Sequence, residues 1–120
     1  MNGLILFAHG SRDPAWRLPF EAMLASVRAA SDKTTLCELA YLELMQPDFG
    51  SIAADLAAKG VAHIRVLPVF LAAGKHLRTD LPELVQVAIT AHPQLSFTVL
   101  PPVGESPALH QAIVNLALAA

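Results

Sequence analysis

The apolar positions of the chain fall into two kinds of pattern. Gly3-Leu-Ile-Leu-Phe-Ala8 is a continuous apolar run, the form a strand takes when both of its faces are covered. Thr34–Leu42, Val61–Phe70 and Ser96–Leu100 read as three further strands. Segments with helical spacing separate them. Leu18–Ala30 carries Phe20, Met23, Leu24 and Val27 on one side, and Pro19 suits a first turn, so this helix starts near Leu18 rather than at Pro14. Asp48–Lys59 lines up Ile52, Ala53 and Leu56 and meets a natural stop at Gly60. Asp80 and Glu83 resemble a capping box opening a helix that runs to about Ala91. Ser106 followed by Pro107 opens the last helix.

Strands alternating with helices predict an α/β protein. The expected architecture is an open, parallel, four-stranded sheet with helices on both faces, filling one domain over residues 1–120. Right-handed crossovers limit the topology, and the expected strand order is 2-1-3-4. In such sheets ligands bind beyond the carboxyl ends of the strands, at the point where the order reverses. That rule selects three stretches: His9-Gly10-Ser11-Arg12 after the first strand, Glu43 after the second, and Gly74-Lys75-His76 after the third.

Composition narrows the possibilities. Of 120 residues, 54% are hydrophobic and 15% charged, so a packed core is expected and disorder is not. A formal net charge of −2 argues against a general nucleic-acid binder. A single cysteine, Cys37, rules out an internal disulfide or a CxxC motif. Met1–Ala8 lacks the cationic start of a signal peptide, and no apolar run would span a bilayer. The expectation is a soluble cytoplasmic protein.

Five histidines remain to be sorted. His63 begins a strand, His92 ends a helix, and His110 falls on a polar stripe, so none of the three is assigned chemistry. His9 ends a buried strand, and Gly10 after it permits a close approach of a ligand to the backbone. His76 lies between Lys75 and Arg78, which disfavour a further positive charge; neutral imidazole is the form that binds metal or accepts a proton. Glu43 sits among Leu42, Leu44 and Met45, where a carboxylate wants a partner or a metal, although an ordinary water-facing loop residue reads the same way. Four of the eight Lys and Arg residues (Arg12, Arg17, Lys75, Arg78) cluster after the first and third strands, which suggests an anionic ligand at that edge.

These motifs resemble the class II tetrapyrrole chelatases. The likeness rests on His9-Gly-Ser-Arg12, on Leu42-Glu43-Leu44 with Pro47, on Phe70-Leu-Ala-Ala-Gly-Lys-His76 followed by Asp80-Leu-Pro82, and on Pro101-Pro-Val-Gly104. It is strongest to the short CbiX-type sirohydrochlorin cobaltochelatases, and it runs from about Leu4 to Leu116. The resemblance implies insertion of a divalent metal into sirohydrochlorin, a macrocycle bearing eight carboxylates. Cobalt(II) is the first expectation, with iron(II) or nickel(II) as the others, and no cofactor beyond that metal substrate. His9 and His76 would handle the metal or remove protons, with Glu43 as a third ligand. Ser11, Arg12, Lys75 and Arg78 would meet the macrocycle's carboxylates. Longer relatives hold two such lobes in one chain, so a single lobe implies a homodimer.

Two other readings use the same residues. A non-catalytic metal or tetrapyrrole carrier would need the same ligands and differ only in turnover. A phosphohistidine phosphatase also places His-Gly after its first strand, but it needs an arginine before the histidine, and here that residue is Ala8.

Overall fold

The computed structural model describes residues 1–119 and leaves Ala120 outside. Its strands are β1 (Asn2–Ala8), β2 (Thr35–Tyr41), β3 (His63–Pro68) and β4 (Ser96–Val99). They form one parallel sheet in the order β2-β1-β3-β4, as the sequence predicts. β2, β3 and β4 are shorter than the apolar runs that announced them. Val61 and Phe70, at the two ends of the third run, pack against the core from outside the strand.

Side chains alternate across a sheet, so neighbouring residues of β1 serve different layers. Ile5 and Phe7 join Ile64 and Val66 in one core, which is closed by Phe49, Ile52, Ala53 and Leu56 of α2 (Phe49–Ala58) and by Leu77, Leu81 and Ala88 of α3 (Gly74–Ala91). Leu6 and Ala8 point the other way. With Leu39 and Tyr41 they are covered by Trp16 and by Phe20, Leu24 and Val27 of α1 (Leu18–Ala30). The helix over 48–59 is well anticipated: Asp48 caps it, its carboxylate accepting the Ser51 N–H at 2.8 Å. That bond holds the Asp48 carboxyl below the usual carboxylate range, and such caps contribute about 1 kcal/mol.

One expectation needs correction. The helix expected to open at Asp80 opens at Gly74, so Asp80, Pro82 and Glu83 are interior positions of α3 and not its start. Its entry has no side-chain cap; the chain turns through Gly74 at φ 57°, a left-handed conformation natural to glycine. Without a Ser, Thr or Asp at the true start, the Asp80/Glu83 pair pointed six residues too far along.

The last helix is α4 (Pro107–Leu118). No residue of it is buried. Ile113, Leu116 and Leu118 are 48%, 76% and 79% exposed. The sheet beside it is correspondingly bare, with Arg65 of β3 and Thr98 of β4 both exposed. Among the described residues no helix is long and apolar enough to cross a membrane.

Candidate active site

The hydrogen-bond ladder between β1 and β2 runs on past the strands. Leu42 N–H donates to Ala8 O at 2.8 Å and Glu43 N–H to His9 O at 3.1 Å. Two residues 34 apart in sequence are thereby placed side by side at the carboxyl edge, and His9 Nε2 donates to Glu43 Oε1 at 2.9 Å. Both side chains are half exposed. Glu43 is therefore neither a solvent-only loop residue nor a buried carboxylate. The next residue, Leu44, has φ 66°, a costly conformation for a side chain of this size. Such outliers concentrate at functional loops.

Gly10 explains how the two loops come so close. Its φ is +99°, and a Cβ there would fall 1.9 Å from the carbonyl oxygen of Glu43. The close approach expected at Gly10 is thus made by the chain's own second loop and not by a ligand. Gly10→Ala is expected to cost about 2 kcal/mol or more, strain and clash together, and to force the His9–Glu43 pair apart. Gly60→Ala is the control: Gly60 also has a positive φ, +87°, but nothing lies within 4 Å of a Cβ there. It should lose stability by strain alone and leave the site's activity unchanged. Urea midpoints and activity measurements on both variants check this.

The loop after β3 joins the same edge. Val69 N–H donates to Phe7 O at 2.8 Å, and the Phe70 ring lies 5.9 Å from the His9 ring, centroid to centroid. Gly104 N–H donates to Phe70 O at 3.0 Å, drawing in the loop after β4. A Cβ on Gly104 would strike Leu71 O at 1.5 Å, so this junction also requires glycine. Four residues beyond Phe70 the chain enters α3, and His76 occupies its first turn.

His76 is 83% exposed, and its Nδ1 donates to Asp80 Oδ2 at 3.2 Å, one helical turn along. The expected cluster of three ligands is not assembled within one chain. Among the described residues no three His, Cys, Asp or Glu side chains stand close enough to hold a metal ion. There are instead two imidazole–carboxylate pairs, His9–Glu43 and His76–Asp80. Asp80 was missed because placing the helix start at Asp80 hides its i,i+4 relation to His76. Phe70 was quoted as part of a motif without a role; the structure sets it against His9.

The cations divide. Arg12 and Lys75 are exposed at the edge, available to a ligand. The Ser11 hydroxyl accepts Asp13 N–H at 3.1 Å in a local turn. Arg78 lines an apolar cleft of about 470 Å³ between α3 and the loop after β4, among Leu77, Leu81, Val99, Pro102 and Glu105. Arg17 turns under α1 toward Tyr41, whose phenol is pushed up by burial. Arg17 therefore leaves the group, and Arg12, Lys75 and Arg78 stay exposed at the carboxyl ends of the strands. Of the histidines set aside, His63 bridges Ser96 Oγ at 2.7 Å and Thr98 Oγ1 at 2.9 Å, His92 ends α3, and His110 is exposed on α4.

A parallel 2-1-3-4 sheet with an imidazole–carboxylate pair beside its reversal point defines an open α/β protein with a ligand site at its carboxyl edge. The chain belongs to the CbiX family, whose model matches residues 3–120. It is 32% identical over 87 residues to the sirohydrochlorin cobaltochelatase of Saccharolobus solfataricus, a match that takes in 72% of this chain and 66% of that relative. A CbiX protein from Marinobacter aquaeolei VT8 superposes with a TM-score of 0.86 at 32% identity, over 98% of this chain and 94% of that one. The sirohydrochlorin chelatase SirB from Bacillus subtilis subspecies spizizenii, in complex with cobalt, superposes with a TM-score of 0.82 at 26% identity; 96% of this chain corresponds to 49% of SirB. The chain thus spans about half the length of SirB.

Proposed function

We propose that the protein is a sirohydrochlorin chelatase that inserts a divalent metal ion, cobalt(II) first among them, into the macrocycle. The observation that carries this reading is the His9–Glu43 pair, held at 2.9 Å where the strand order reverses. Insertion needs a metal gripped loosely enough to leave, and imidazole with carboxylate suits first-row divalent ions. It also releases two pyrrole protons, for which imidazole is a competent acceptor near neutral pH. The metal is a substrate here, and the chemistry asks for no resident cofactor. Arg12 and Lys75, exposed at the same edge, are placed to meet peripheral carboxylates. The assignments given to the Saccharolobus relative and to SirB support both sirohydrochlorin and cobalt; iron(II) and nickel(II) suit the same donors.

Among the described residues, three ligands for one metal are not found in a single copy. A homodimer would supply His9, Glu43 and His76 twice around a shared cavity, and SirB's doubled length supports that arrangement. A cytoplasmic location fits this reading. The test is turnover. With sirohydrochlorin and each of cobalt(II), iron(II) and nickel(II) in competition, many metallated macrocycles per chain are expected, with cobalt preferred. One macrocycle or fewer per chain would replace the enzyme with a carrier.

A further inference from the structure

Two imidazole–carboxylate pairs stand at this edge, and they engage opposite ring nitrogens. His9 meets Glu43 through Nε2. His76 meets Asp80 through Nδ1. An ionised carboxylate accepts hydrogen bonds and donates none. Each contact therefore requires the proton on the nitrogen that makes it. Neutral His9 must carry its proton on Nε2 and keep Nδ1 open, while neutral His76 must carry its proton on Nδ1 and keep Nε2 open. The open nitrogen is the only one that can bind a metal or take up a proton.

We propose that Asp80 is a positioning residue for His76: it fixes the Nδ1–H tautomer and the ring orientation, and so presents Nε2 to the incoming metal or pyrrole proton. The inference rests on the chelatase reading for the use made of Nε2, and on geometry alone for the tautomer. His76 needs such a device because, among the described residues, no other polar side chain bonds to it. Its side chain is 83% exposed, it lies in the first turn of a helix without a side-chain cap, and the neighbouring Lys75 and Arg78 offer no acceptor. Asp80 is the less exposed partner, at 40% against 83% for His76. It is partly covered in mid-helix, beside Leu81, which is 2% exposed in the core. Carboxylates that orient a ligating histidine commonly account for a 10- to 100-fold effect.

The test combines a readout on the protein alone with one on the reaction. Nitrogen-15 shifts of the neutral imidazoles, measured without metal or macrocycle, should show His76 as the Nδ1–H form in the wild type. In Asp80→Ala they should show the Nε2–H form that an unpartnered histidine favours, with His9 unchanged. Asp80→Ala should lower kcat for insertion about 10- to 100-fold while KM for sirohydrochlorin holds. Asp80→Glu, which still reaches one turn along a helix, should recover the Nδ1–H form and much of the rate. A His76 tautomer that is Nε2–H in the wild type, or that does not move in Asp80→Ala, overturns the proposal; so does a loss confined to KM. Wild-type turnover in His76→Ala would instead remove the chelatase reading at this residue, and the nitrogen shifts would still decide the pair.

Discussion

Replacing His9 or His76 by alanine is expected to remove most metal-insertion activity while leaving the fold intact. His9 is exposed beyond the end of β1, and His76 projects from the first turn of α3. Neither fills the core, so truncation opens no cavity and the stability change should stay within about 0.5 kcal/mol. The loss of rate should be far larger. A positioned acid–base group contributes about 10²- to 10⁴-fold, and a lost metal ligand adds to that. The two variants should also differ from each other. His9→Ala leaves Glu43 without its partner at 2.9 Å, so one more donor is set loose at the reversal point. His76→Ala frees only Asp80. Circular dichroism and the insertion rate, measured on the same preparations, separate a damaged fold from a damaged site. Wild-type turnover in the double variant would sink the assignment.

The sheet was legible because its signals are local and redundant. Doubly covered strands read as unbroken apolar runs, and alternation with helices leaves few topologies. His9 was legible for the same reason, since the end of the first strand is a position that the architecture itself singles out. What was lost lay where the chain uses conformation in place of composition. Gly74 enters α3 in a left-handed turn with no capping side chain, and a false capping pair at Asp80 and Glu83 took its place. That one error concealed the His76–Asp80 contact. Gly10 looked like room for a ligand because a sequence shows the absence of a side chain and not what fills the space; Glu43 O fills it. The cations after the first and third strands look like one group along the chain. In space Arg17 turns toward Tyr41 beside α1, and Arg12, Lys75 and Arg78 remain exposed at the edge.

The protein is expected to sediment as a dimer at micromolar concentration, and Leu116→Glu is expected to dissociate it. The argument starts from α4. Its 12 residues include Ile113, Leu116 and Leu118, 48%, 76% and 79% exposed, and none that is buried. An isolated helix of about this length is marginal in water, and most helices in proteins are held by packing of an apolar face. Within one copy α4 has almost no such packing; it leans on the short turn at Val103–Glu105 and flanks an apolar cleft lined by Leu67, Leu100 and Leu109. Contiguous exposed apolar surface usually marks an interface, and two-fold pairing is the commonest way to close one. The site makes the same demand, because one copy brings no three candidate ligands together among the described residues. A glutamate at Leu116 would place a charge in the middle of that contact at a position where a free helix would tolerate it. The variant should therefore keep its helical signal, sediment as a monomer and lose insertion activity with the shared cavity. A wild-type monomer that turns over at full rate would overturn both the dimer and the shared site. A dimer indifferent to Leu116→Glu would move the contact off α4, and the bare sheet face around Arg65 and Thr98 would then be the next place to put a charge.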